Sequence, residues 1–260
     1  MNTENENMPV PPPLPARAPA TGSLAGAMAE NPADRIPITG VVSAFEALLR
    51  QPMRVLYHLT HEKASLLIVA MFVIAVGCSL IYGAVVGTFS GGIQLWAAPV
   101  KISLGLLISA LICLPSLYIF SCLSGSQAKL FEVAGLVAGL LALMTVLLIG
   151  FAPVAWVFSQ STESVVAMGA LHLVFWLIAT YFGLRFLNHG FSRLSASFSG
   201  GLKVWVVLFL LVMVQMATAL RPIVGTAETL LPSEKKFFLT HWGDCFMENT
   251  RSERNSTPRE

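Results

Sequence analysis

The chain has 260 residues, of which 55% are hydrophobic and only 12% charged, and its formal net charge is +2. The charged share is about half that of a typical soluble domain, which excludes an ordinary water-soluble fold. The small net charge argues against nucleic acid as a partner. The four cysteines have neither the spacing of a zinc site nor the density of a disulfide scaffold.

Two different segments precede the apolar part of the chain. Residues 1–37 are rich in Pro, Ala, Asn and Glu, and they are predicted to form a disordered tail. Their polar, acidic start predicts that this is not a signal peptide. In residues 38–63, apolar side chains recur every three or four positions with basic residues between them. This pattern predicts two amphipathic helices, hinged at Pro52, that lie on the membrane surface or pack against the rest of the protein.

Five long apolar runs dominate residues 64–221. They are placed at 65–88, 101–120, 130–151, 165–187 and 204–220. Each is close to the roughly 20 residues that cross the hydrocarbon of a bilayer. The connections are short, so consecutive helices are expected to be antiparallel neighbours. The predicted fold is an all-α bundle of five transmembrane helices, followed by a polar segment at 222–260.

The distribution of Lys and Arg predicts the orientation of the bundle. These residues flank the start of the first span and the second and fourth connections, whereas the first and third connections contain none. The positive-inside rule therefore places the N-terminus in the cytoplasm. Arg221, Lys235 and Lys236 conflict with this rule, because five spans place them outside. Their segment either stays in the polar phase or returns to the interface at 234–247.

Polar residues inside the spans are the best functional leads, since they are costly in lipid unless paired. His172 and Gln215 lie at a similar predicted depth, roughly 10 Å from the outer ends of their helices. They are predicted to share a hydrogen bond or a water. Such a contact is either a structural clasp between helices or part of a proton relay or substrate site.

Charged residues near the span ends form two predicted pairs. Glu163 and Arg221 reach the outer surface, and Glu132 and Arg185 reach the inner one. Ion pairs at these positions are expected to orient helix ends, because exposed pairs contribute little stability. Lys101, near the outer side, is expected to extend its ammonium to the headgroups.

Small residues four apart predict close helix packing in two spans. Gly83 and Gly87 lie in the first span, and Gly135 and Gly139 in the third. These faces are expected to pack against other helices of the same chain. Association of two copies through one of them is the alternative.

Three short stretches carry a resemblance to known proteins. These are residues 115–120, the Ala152-Pro153 pair that follows the third apolar run, and residues 220–225. They resemble a group of multi-spanning bacterial inner-membrane proteins and, more distantly, the Yip1 family. That resemblance implies a cytoplasmic N-terminal tail, five spans, and a function in membrane organisation with protein partners. It transfers no site residue.

Two classes of function remain open from the sequence. The first is a non-enzymatic scaffold or accessory subunit of a membrane assembly. Its predicted partners are the lipid bilayer and either another protein or a second copy of the chain. The alternative is a small transporter or oligomeric channel for a weakly polar solute. No catalytic or metal-binding motif occurs in the spans, so neither enzymatic activity nor a cofactor is predicted.

Overall fold

The computed structural model describes residues 36–59, 64–90, 92–124, 126, 128–162, 164–194 and 199–219. In this part of the chain every regular element is a helix. The helices are α1 (Val41–Arg50), α2 (Pro52–Leu59), α3 (Ala64–Ser90), α4 (Gln94–Leu123), α5 (Leu130–Ser161), α6 (Val165–Leu194) and α7 (Ser199–Ala219). Nearly all of the predicted tail at 1–37 lies outside the described residues. So does the segment at 222–260, including its predicted return at 234–247.

Helices α3 to α7 are each long and apolar enough to cross a membrane. The chain is therefore an integral, multi-pass membrane protein, and the predicted all-α fold class is confirmed. Several helices extend beyond the apolar runs that revealed them. Helix α4 already begins at Gln94, and α5 continues through Pro153 to Ser161. An apolar run marks only the hydrocarbon-crossing part of a helix, which can continue into the headgroup region.

Helix α5 is the most enclosed of the five spans. In its most apolar stretch 72% of the residues are buried, against 22% in α7. It packs between α3 and α6, while α4 packs against α3, and α7 packs against α4. Helices α6 and α7 therefore lie on the outside of the bundle.

Glycines on α5 allow this close packing. A Cβ added at Gly139 would lie 2.6 Å from Cε1 of Phe186 on α6, and one at Gly135 would lie 2.7 Å from Cδ2 of Leu59 on α2. Both positions are filled by side chains of the same molecule. These two glycines therefore pack against helices of the same chain, as expected, and not against a second copy.

At the crossing of α3 and α4 the two backbones approach closely. A Cβ at Gly83 would lie 2.4 Å from the Cα of Pro99, closer than any side chain tolerates. Gly87, one turn further along α3, is also buried. In lipid, small residues promote helix association by letting backbones approach in this way.

The amphipathic helices α1 and α2 pack their apolar faces on the bundle. Ala44 and Leu48 of α1 are buried, as are Leu56 and Leu59 of α2. Leu59 reaches Gly135 near the start of α5, and Leu56 reaches Gly190 near the end of α6. These two helices therefore mark one end of the bundle, which we call the α2 end.

Candidate intramembrane polar site

A pair of buried hydroxyls joins α3 to α4. The Oγ atoms of Ser79 and Ser103 lie 2.7 Å apart, and Ser79 Oγ also donates to the carbonyl oxygen of Val76 at 2.9 Å. A hydroxyl has a single proton to donate. Ser103 is therefore the donor and Ser79 the acceptor of the bond between the helices.

A second buried pair joins α3 to α6. The hydroxyl of Tyr82 lies 2.7 Å from Nδ1 of His172, and the two rings meet edge-on with their centroids 5.7 Å apart. Tyr82 is 0% exposed and His172 is 7% exposed. The pair holds the outer helix α6 against α3.

The other ring nitrogen of His172 is buried without a hydrogen-bond partner among the described residues. If Tyr82 donates to Nδ1, the neutral imidazole carries its proton on Nε2, and one N–H is left without an acceptor. The opposite tautomer would leave both the Tyr82 proton and the Nε2 lone pair unused. Unpaired buried groups are costly, so the arrangement with one such group is favoured.

Lys101 lies at the same level of the bundle as the Tyr82–His172 pair. The contacts of Ser79 with Ser103 and of Gly83 with Pro99 place Lys101 level with Tyr82, roughly 10 Å along α4 from its first residue. Lys101 is only 5% exposed. The expectation that it faces the headgroups is wrong, because the surrounding helices enclose it. We call Ser79, Tyr82, Lys101, Ser103 and His172 the polar layer.

The predicted contact between His172 and Gln215 does not form. His172 on α6 bonds to Tyr82 on α3, whereas Gln215 is exposed on α7, which packs against α4. The sequence matched them only by their predicted depth along the apolar runs. A match in depth does not make two residues neighbours, because they also have to face each other around the bundle.

The predicted pair of Glu132 and Arg185 does not form either. Glu132 Oε2 accepts the backbone N–H of Lys129 at 2.9 Å, at the first turn of α5. Leu136 lies against Gly190, so the antiparallel register places Arg185 about 13 Å along the axis from the level of Glu132. Glu163 and Arg221, the other predicted pair, lie outside the described residues.

A third link between helices was not predicted from the sequence. The indole Nε1 of Trp205 on α7 donates to the backbone carbonyl of Cys113 on α4 at 2.9 Å, and its ring stacks on Phe209. Tryptophan is usually found at the membrane interface. Trp205 is the second residue of the fifth run, where an interfacial tryptophan is ordinary, so nothing in the sequence indicated this contact. For the other aromatic contact, the position of Tyr82 well inside the first run was the available signal.

The polar layer supplies hydroxyls, an ammonium and an imidazole, and it contains no carboxylate. Such groups can hold a hydrogen-bond acceptor such as a carbonyl oxygen. Among the described residues no group of three or more His, Cys, Asp or Glu side chains could hold a metal ion. No protein-family model, curated protein or solved structure matches the chain.

Proposed function

We propose that this membrane protein is a non-enzymatic scaffold or accessory subunit of a membrane assembly. The supporting observation is that the buried polar and small residues within its spans include several that join its own helices. The Ser79–Ser103 and Tyr82–His172 bonds and the Trp205 indole each link two different spans. In lipid, such bonds and close packing hold helices together where hydrophobic force does not. A core fixed in this way holds its outer surfaces in constant relative positions, as a scaffold requires.

The sequence supports the proposed function by its resemblance and the proposed location by its charges. The resemblance to Yip1-like and bacterial inner-membrane proteins implies membrane organisation through protein partners. The Lys and Arg residues beside the spans favour a cytoplasmic N-terminus. We therefore place the protein in a bacterial inner membrane, with the α2 end toward the cytoplasm.

A small transporter for a weakly polar solute is the second candidate. The unpartnered Nε2 of His172 favours it, because a buried N–H is a ready donor to a solute carbonyl. Lys101 in the same layer adds a second polar group at that depth. In this case His172 would be indispensable for activity, not only for stability.

One experiment separates the two candidates. The full chain and its His172→Leu variant are extracted in a mild detergent, and the size and composition of their complexes are compared with the growth phenotype. We expect a complex with another membrane protein in fixed ratio, and a variant that retains both complex and phenotype. A chain that runs alone contradicts the scaffold. A variant that keeps the complex but loses the phenotype favours the transporter.

A further inference from the structure

Helix α6 carries hydrogen-bonding side chains on the face that points away from the bundle. Tyr181 is 61% exposed, and Arg185 and Asn188 are also exposed. They are four and three residues apart, so they line one face of the helix together with Leu177. We call Leu177, Tyr181, Arg185 and Asn188 the α6 stripe.

The α6 stripe lies within the span and not only at its end. All four residues fall inside the apolar part of α6, at Ala167–Ser192. Gly190 marks the level at which α2 packs, and Tyr181 is about 13 Å further into the membrane than Gly190. A phenol with its hydroxyl in the hydrocarbon is unusual, because tyrosine favours the interface.

The lipid-facing sides of α3 and α4 differ from that of α6. On α3 and α4 the exposed residues of the mid-span are apolar, as expected for helices that face only lipid. They include Val69, Phe72, Val73 and Leu80 on α3, and Leu104, Ile108, Leu111 and Ile112 on α4. Exposure of polar side chains is therefore particular to α6 when these three spans are compared.

An anionic lipid headgroup would satisfy only part of the α6 stripe. Arg185 is about 7 Å inside the level of Gly190, a distance that its side chain spans to reach a phosphate. Tyr181 lies about two and a half turns from Gly190 and is too deep for a headgroup. An occupant that contacts both must itself extend into the membrane.

A second copy of this chain is also a poor occupant. All copies insert with the same orientation, so two α6 helices that meet across a two-fold axis run parallel. Arg185 would then face Arg185 of the other copy, and like charges in a weakly screening medium repel. The described part of α6 offers no carboxylate to relieve that repulsion.

We propose that the α6 stripe binds a transmembrane helix of a different protein, and that this helix carries an Asp or Glu opposite Arg185. A spanning helix runs along the whole stripe, and its side chains provide acceptors for Tyr181 and Asn188. Intramembrane ionisable residues are generally paired in this way. The inference rests on the proposed function as an accessory subunit, for which it names the docking surface and the partner chemistry.

Photo-crosslinking in native membranes tests the proposal. Benzoyl-phenylalanine replaces Leu177 in the full chain, and Ile81 on α3 serves as the control site. Both residues are 58% exposed, and both lie within the apolar part of their spans. We expect a single protein adduct from position 177, mapped by mass spectrometry to a spanning segment that contains Asp or Glu. The Arg185→Leu variant should reduce its yield about tenfold, as expected when one partner of a buried charge pair is removed.

A charge exchange makes the test specific. Arg185→Asp should abolish the adduct, and changing the partner's carboxylate to Arg should restore it. Adducts with lipid alone, with a second copy, or with residues 1–35 or 220–260 of the same chain overturn the inference. If the complex forms but crosslinks from position 81 and not from 177, the docking surface is wrong and the scaffold function stands. If no complex exists, both are wrong.

Discussion

At the scale of single residues, the crossing of α3 and α4 depends on the absence of one side chain. We expect Gly83→Ala to destabilise the fold by about 1–3 kcal/mol, because the added methyl group overlaps the Pro99 backbone. Gly77→Ala on the same helix is the matched control, since nothing lies within 4 Å of its added Cβ. There we expect a gain of about 0.5–1 kcal/mol from the better helix propensity of alanine. Reversible unfolding in micelles measures both, and equal effects would contradict the crossing.

The Tyr82–His172 hydrogen bond predicts that substitutions of these two residues have coupled effects on the free energy of unfolding. Tyr82→Phe leaves a second nitrogen of His172 buried without a partner, so we expect a loss of about 1–3 kcal/mol. His172→Leu removes the same bond from the other side. The double variant should therefore cost less than the sum of the two single variants, by about 1 kcal/mol. Strictly additive free energies of unfolding would show that the two side chains do not interact.

The polar residues also show what a sequence can reveal about such a site. A depth for His172 could be predicted by counting residues along its apolar run, whereas the depth of Lys101 could not, because its helix begins at Gln94, before the run. Their partners could not be predicted either, because which face of a helix meets which neighbour depends on the packing of all five spans. Hydropathy is nearly uniform around α3 and α4, so it does not distinguish the buried face from the lipid-facing one. His172 was therefore identified as an important residue but assigned to the wrong partner.

At the scale of elements, the five spans could be predicted because crossing the hydrocarbon requires a minimum length of apolar helix. The two amphipathic helices could be predicted because their apolar residues recur with helical periodicity. The ends of the spans could not. The third apolar run ends at Phe151, yet α5 continues through Pro153 to Ser161. Proline disturbs a helix chiefly through the preceding turn, and neighbouring groups in membranes compensate for the lost bond. Consecutive spans were expected to be neighbours, which is true of α5 and α6, but α7 packs on α4 and not chiefly on α6, an arrangement that depends on packing alone.

The indole of Trp205 joins α7 to α4, and this predicts how α7 detaches. Trp205 Nε1 donates to the carbonyl oxygen of Cys113, a residue that is 2% exposed. We expect Trp205→Ala to raise the rate at which N-ethylmaleimide labels Cys113 in micelles by more than about tenfold, because opening becomes easier. The measurement uses a chain whose other cysteines are replaced by alanine.

The control for α7 is a tryptophan that supports no such contact. Trp156 on α5 is 51% exposed, so Trp156→Ala should leave the labelling of Cys113 unchanged. An equal increase in both variants would indicate general loosening of the bundle. No increase in the Trp205 variant would show that α7 stays in place without its indole.

At the scale of the whole molecule, an odd number of spans means that the chain enters the bundle on one side of the membrane and leaves it on the other. The connection around Ser126 lies at the α2 end, because Leu59 of α2 reaches Gly135 near the start of α5. That connection should share the side of α1 and α2. The basic residues near the first span favour the cytoplasm for this side, whereas Lys235 and Lys236 oppose it.

We expect the charges before the first span to determine the orientation, since the first helix usually dominates insertion. Alkaline phosphatase fused after Ser126 should be inactive, and phosphatase fused after residue 260 should be active. Replacing Arg221, Lys235 and Lys236 by Gln should leave this pattern unchanged. Replacing Arg50, Arg54 and Lys63 by Gln should weaken it, although Arg54 also bonds to the carbonyl oxygens of Ile36 and Pro37.

An active fusion at 126 with an inactive one at 260 would invert the topology, and the α6 stripe would then have Arg185 near the outer surface. Inactivity at both positions would mean that residues 220–260 return across the membrane.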